Sequence, residues 1–413
     1  MRCERGIWRR IALAALTAAV GVGNATAPAF AAPKAATHSS NACTDPDEKP
    51  QFPWQAFNVG NTCVEFTNSL SFVYQNLMQS SGSLAAPARA GTASAGTPVV
   101  KTLTFSPTID TTTHTRFGDL KTSFGLSIER TSDDDAVRTT LSNATVALAG
   151  LTVGYDESVM NFWEGDFQFS AAVPQRTVGI LRYDHPVSEN SKLGISLETG
   201  VPTSSPPPDE FAPLYTDDPV LAARWRYETD PLTVLLAGMM HELKFDGGNR
   251  RLPRPAGAPD KVFGWAVTAG ATVALPFLGD DDNVSVQATY AVNASPYLGT
   301  SSDLSTLASI VPFNVETQGW SAVASYHRAW SERWEANLFV SYLDLDISTP
   351  AANPAVQTTR LAGNLIFTPV KGIRFGGELG FIDARLELNG PFGLLNGASG
   401  RQLTGYLFAD VEF

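Results

Sequence analysis

The 413-residue chain lacks, beyond its first thirty residues, any run of 18 or more continuously apolar side chains, so no membrane-spanning helix is expected. Histidine and cysteine are scarce. The five histidines (His38, His114, His185, His241 and His327) are scattered without ligand spacing, so no metal is expected. No Gly-x-Ser-x-Gly and no phosphate-cradling glycine loop stands in a suitable context, which excludes the common enzyme signatures and leaves no cofactor expected. Basic residues number 29 against 41 acidic ones, an imbalance that excludes nucleic acid as a partner. No convincing amphipathic helix is legible either.

What is present begins with a short export pattern. Arg2, Arg5, Arg9 and Arg10 precede an apolar run from Ile11 to Val22, and Ala29-Phe-Ala31 supplies small residues for cleavage. Residues 1–31 read as a secretory signal peptide. Its removal takes four arginines and one glutamate, leaving 25 basic and 40 acidic residues, a net charge of about −15. Cys3 leaves with it. Cys43 and Cys63 form an even pair in an oxidising compartment and read as a disulfide, worth about 3 kcal/mol in the chain-entropy model. Residues 32–62 read as a short N-terminal periplasmic segment before the main domain, 63–413.

After Cys63 the chain alternates apolar and polar residues almost everywhere. Phe263, Trp265, Val267, Ala269, Ala271, Val273 and Leu275 share one face of a strand, and Val284, Val286, Ala288, Tyr290 and Val292 share one face of the next. The last strand alternates likewise, with Leu407, Ala409, Val411 and Phe413 on one side and Tyr406, Asp410 and Glu412 on the other. Such strands exceed the usual soluble length and suffice to cross a bilayer, which needs about 9–11 residues. Sixteen strands are predicted, near 63–77, 101–115, 120–130, 139–149, 151–158, 174–184, 192–200, 218–230, 231–243, 261–275, 283–295, 314–330, 334–347, 357–369, 373–388 and 401–413.

The connections between them alternate in length: seven short turns and eight longer segments, with both chain ends on the short side. This implies an all-β fold, a transmembrane antiparallel β-barrel of 16 strands in a bacterial outer membrane, with short periplasmic turns and long extracellular loops. Tyr183, Tyr227, Phe277, Trp330, Trp334, Phe375 and Phe413 lie near the short-turn ends, as an interfacial aromatic girdle requires. The acidic triplets Asp133–Asp135 and Asp280–Asp282 do not have calcium-loop spacing and read as solvated turns, the first a candidate bridge to lipopolysaccharide. Lys244, Arg250, Arg251 and Arg254 read as another solvated face.

Three stretches carry a resemblance: Asn41-Ala-Cys43 with Asn61-Thr-Cys-Val64, Thr112-Thr-His-Thr-Arg-Phe-Gly-Asp-Leu-Lys121, and Asn143–Tyr155 followed by Asn161-Phe-Trp-Glu-Gly-Asp-Phe167. In these the chain resembles the alphaproteobacterial porin family of sixteen-stranded trimeric diffusion channels. The resemblance implies a homotrimer in outer-membrane lipid and a third loop that folds inward to narrow the pore. The corresponding segment, Val159–Val173, is short for that role.

A channel's selectivity comes from the charges facing its lumen. Lipid-facing Arg costs about 2–4 kcal/mol at the midplane, so basic residues on strands should point inward. That reasoning selects Lys121, Arg176, Arg182, Arg224, Arg226, Arg360 and Arg374 as wall residues, set against Glu164 and Asp166 on the third loop. Acid on the loop and base on the wall would set up a transverse field that orients polar solutes; the alternative is that the wall charges merely solvate the lumen. The expected activity is passive admission of small hydrophilic solutes and ions. The rivals are a channel specific for a hydrophobic or anionic compound, a barrel adhesin or outer-membrane enzyme, and a secreted soluble β protein.

Overall fold

The computed structural model describes residues 56–82, 99–132, 137–199, 219–244, 261–279, 281–299, 316–348, 353–389 and 398–413. The signal peptide, Cys43, the Asp133–Asp135 triplet, Asp280, Arg250, Arg251 and Arg254 lie outside them, as does the Lys244 side chain. The strands are β1 (Ala56–Val59), β2 (Thr62–Gly82), β3 (Val99–Thr115), β4 (Gly118–Thr131), β5 (Val137–Leu148) and β6 (Leu151–Glu157). Next come β7 (Thr177–Ser188), β8 (Ser191–Glu198), β9 (Val220–Thr229), β10 (Leu232–Lys244), β11 (Lys261–Ala274) and β12 (Asn283–Val292). A 3-10 turn, η1 (Ser295–Leu298), precedes β13 (Glu316–Ser331), β14 (Trp334–Ser348), β15 (Asn353–Val370), β16 (Ile373–Asn389) and β17 (Ala398–Glu412).

Each strand from β2 to β17 pairs antiparallel with the next, and β17 pairs with β2 over Gly400–Glu412, closing the barrel. The terminal Phe413 N–H and carbonyl both bond Asn68 of β2. All sixteen predicted strands are present. The short β1, not foreseen in the sequence, doubles back on Thr62–Glu65 of β2. Phe57 of this strand stacks on Phe66. Among the described residues no helix is long and apolar enough to cross a membrane.

Alternation sets the two faces of the wall. Leu181, Leu193, Leu221, Leu236, Val267, Val286, Val340, Leu361 and Leu407 are exposed outward, and their neighbours point into the lumen. At the short-turn end Phe277, Trp330, Trp334 and Phe375 are exposed, as an aromatic girdle requires. The two-residue turn Ala149-Gly150 has φ of 51° and 85°, the mirror-image geometry that matches the twist of a tight hairpin.

The interior is not uniformly polar. Inward residues of β9 to β16, among them Ala222, Leu235, Met239, Leu343, Leu345, Val356 and Leu386, are buried in one cluster with Tyr297 and Leu298 of η1 and with Val159 and Met160 of the segment after β6. Two chain segments therefore fold inside the barrel and cover much of one side of its wall.

Val340 lies outward near the middle of β14. Val340→Arg should cost about 2–4 kcal/mol, read as a lower denaturation midpoint in lipid vesicles.

Candidate functional site

The segment between β6 and β7 runs from Ser158 to Arg176 without regular structure and lies along the inner wall. Inside a barrel its backbone groups need partners, because buried polar groups without hydrogen bonds are costly. The wall supplies them. At the departing end the Glu198 carboxylate accepts from the Ser158 hydroxyl (2.8 Å) and the Val159 N–H (2.9 Å). On β12, Gln287 accepts from the Trp163 N–H (2.9 Å) and donates to the Met160 carbonyl (3.2 Å). The Trp163 indole donates to Ser325 on β13 at 2.8 Å.

The loop tip is pinned further round. Glu378 on β16, 3% exposed, accepts from the backbone N–H groups of Gln168 (2.9 Å) and Phe169 (2.6 Å). Asn364 on β15 donates to the same carboxylate and to the Asp166 carbonyl. On the return, Arg360 donates to the carbonyl and hydroxyl of Ser170, and Ser341 accepts from the Ala172 N–H. Asn161 closes the loop base by accepting from the Arg176 N–H and donating to its carbonyl, both at 3.1 Å. Trp163, Phe167 and Phe339 pack as an aromatic core beneath it, with Phe167 edge-on to Phe339 at 4.7 Å between centroids.

Glycine makes room for this. A Cβ at inward-facing Gly270 would strike the Phe162 ring, and one at Gly380 would strike Phe169. The loop thus folds inward despite its length. Gly299, with φ of 85°, lets the chain after η1 approach the backbone at Ala172 and Val173, so the second inward segment braces the first.

Six of the nine expected lumen residues fall into three groups. Arg360, expected to line the pore, is 2% exposed and lies under the loop, where it serves as an anchor. Arg374 and Asp166 meet directly at 2.7 Å; Asp410 also reaches Arg374 at 3.7 Å and accepts from Ser71. The loop acid and a wall base, expected to face each other across the lumen, are here in contact on one side. Arg182, Arg224 and Arg226 stand on β7 and β9, about half-way round the barrel. Asp184 bridges Arg182 (3.0 Å) and Arg224 (3.0 Å), Asp156 adds a longer contact to Arg182 at 3.4 Å, and Glu228 pairs with Arg226 at 2.6 Å and Lys192 at 3.7 Å. Gly194 admits this arrangement, since a Cβ there would press on the Asp184 carboxylate at 2.5 Å.

Arg176 sits at the loop's return end and not on a strand as expected, because its backbone is held by Asn161; its guanidinium lies 5.4 Å from the Tyr297 ring centroid. Glu164 is exposed on the loop. Lys121 is exposed close to the turn before β4 and is not brought to the others. Sequence reasoning missed Asp184, Glu198, Gln287, Asn364 and Glu378, which on alternation alone are further polar residues facing the lumen. Among the described residues no cluster of side chains has metal-binding character.

Comparison with known proteins decides the class. Residues 87–392 match the family model described as "Porin subfamily". The chain belongs to that family. Among solved structures the porin is similar to the outer membrane channel DcaP of Acinetobacter baumannii, with a TM-score of 0.65 and 16% identity, over 86% of this chain and 99% of that one. It is similar also to the trimer form of OmpT, an outer membrane protein of Vibrio cholerae (TM-score 0.51, 10% identity, 86% and 100% covered). A third similar structure is an anion-selective porin from Comamonas acidovorans (TM-score 0.50, 13% identity, 85% and 100% covered). Among curated proteins none matches the chain by sequence. The porin is an outer-membrane diffusion channel of a bacterium, and its family and fold point to a channel and away from an enzyme.

Glu378→Ala should leave the Gln168 and Phe169 N–H groups unmet, at about 1–3 kcal/mol each, and free the loop tip. Protease cleavage within residues 158–176 of the folded porin should rise sharply, with Glu378→Gln intermediate; equal resistance in all three would deny Glu378 this role.

Proposed function

We propose that small hydrophilic solutes and ions pass between the inward loop and the β7–β9 wall, and that this path is weakly ion-selective. The supporting observation is the ladder itself. Arg182, Arg224, Arg226 and Lys192 are interleaved with Asp156, Asp184 and Glu228 on one wall, with Glu164 exposed on the loop. Charges so interleaved nearly cancel at a distance, so a passing ion meets alternating local fields and little net potential. The transverse field is then local and dipolar, carried by Glu164 and the wall arginines, because Asp166 is neutralised by Arg374.

A second reading, a channel specific for one solute class, is favoured by the inward segments that cover one side of the lumen. It requires saturable, competable flux, where a general pore gives flux linear in concentration. We further propose the finer alphaproteobacterial kinship, short turns in the periplasm and long loops outside, a cleaved signal peptide 1–31 and a periplasmic segment 32–62 before the barrel. A homotrimer fits the trimer form of the Vibrio cholerae relative. The Cys43–Cys63 disulfide fits the buried position of Cys63 at the start of β2.

Arg224→Ala with Arg226→Ala removes two wall cations and leaves Asp184 and Glu228 behind. Reversal potentials of the purified porin in a planar bilayer under a salt gradient should shift toward cation preference, with altered single-channel conductance. Unchanged values would remove the ladder from the permeation path.

A further inference from the structure

Arg360 is the largest fully buried side chain among the described residues. Its hydrogen bonds, both 3.0 Å to Ser170, use Nη1 alone. Nε and Nη2 are buried without a hydrogen-bond partner. Among the described residues no carboxylate makes an ion pair with it, and Ser170 supplies both of its hydrogen-bond acceptors. Glu378, the nearest candidate in role, is spent on Gln168, Phe169 and Asn364. Thr358, the next inward residue on β15, adds a buried hydroxyl with no partner.

A guanidinium removed from water without a counter-charge costs several kcal/mol, and its unmet N–H groups add to that. Buried charges are normally paired. Two N–H donors on one edge of the guanidinium, with the unpartnered Thr358 hydroxyl two residues away on the same strand, form a donor set suited to an anion. Water would satisfy the N–H groups but leave the charge uncompensated. At 2% exposure the site is closed to permeating solutes, so its occupant is small and resident.

We propose that a small inorganic anion of the halide class sits against Nε and Nη2 of Arg360, under the returning leg of the inward loop. This anion completes the latch that fixes Ser170 to β15. Glu378 holds the loop tip by its N–H groups, and Arg360 with its anion holds the next residues by a carbonyl.

The test uses the full folded porin. In crystals soaked with bromide, anomalous diffraction should show a peak within hydrogen-bond reach of Arg360 Nε and Nη2; a site refining as water, with no peak, overturns the proposal. Thermal unfolding in detergent should give a higher Tm in chloride than in gluconate at equal ionic strength, and Arg360→Met should abolish the difference. Equal Tm values for the wild type overturn the latch, and a bromide peak without chloride dependence marks an adventitious ion only. Should Arg360→Met fail to fold, the two wild-type measurements still decide the question.

Discussion

Everything in this molecule depends on closing a ring of backbone hydrogen bonds. In a bilayer no water is present to satisfy an open sheet edge, and each unmet group costs several kcal/mol. The pairing of β17 with β2 removes that edge, and the terminal Phe413 bonds Asn68 to finish it. Once the ring is closed, alternation has a fixed meaning: one residue faces lipid and the next faces the lumen. The outward leucines, the girdle aromatics and the inward arginines all follow from that single constraint.

The same demand acts a second time inside the barrel. Residues 158–176 leave the sheet and lose their ladder partners, so inward side chains substitute for a neighbouring strand. Glu378, Gln287, Asn364, Ser341 and Glu198 each meet a backbone group of the loop. Carboxylates take N–H groups and Arg360 takes a carbonyl, which is the polarity each can serve. The aromatic core under the loop adds apolar burial to this polar frame. A loop fixed by so many directional contacts is held against the wall along its length.

The strands were legible because their signal is local. Period-two alternation and the short-long rhythm of connections can be read in a window of a few dozen residues, and all sixteen barrel strands lie where those signals place them. The loop's partners were not legible for the opposite reason. Gln168 meets Glu378 across 210 positions, and Ala172 meets Ser341 across 169. Nothing nearby in sequence marks Glu378 as a loop anchor, since on alternation alone it is one more polar residue facing water. Arg360 is the clearest case: its neighbour Leu361 is exposed outward and Arg360 lies inward, but nothing in the local sequence shows that Ser170 and the loop cover it.

The charges show why facing inward does not by itself make a residue part of the permeation path. Arg374 and Arg224 both point into the lumen, yet Arg374 is bonded to the loop through Asp166 while Arg224 is bonded to its own wall through Asp184. A permeating ion responds to the potential left after such pairs cancel, and screening confines that potential to about 8–10 Å at physiological salt. Arg374 and Asp166 therefore act mainly on loop position. Arg182, Arg224 and Arg226, held by acids on their own wall, are the cations that border the proposed path. What the lumen charges are bonded to, and not which way they point, separates those tied to the inward loop from those tied to their own wall.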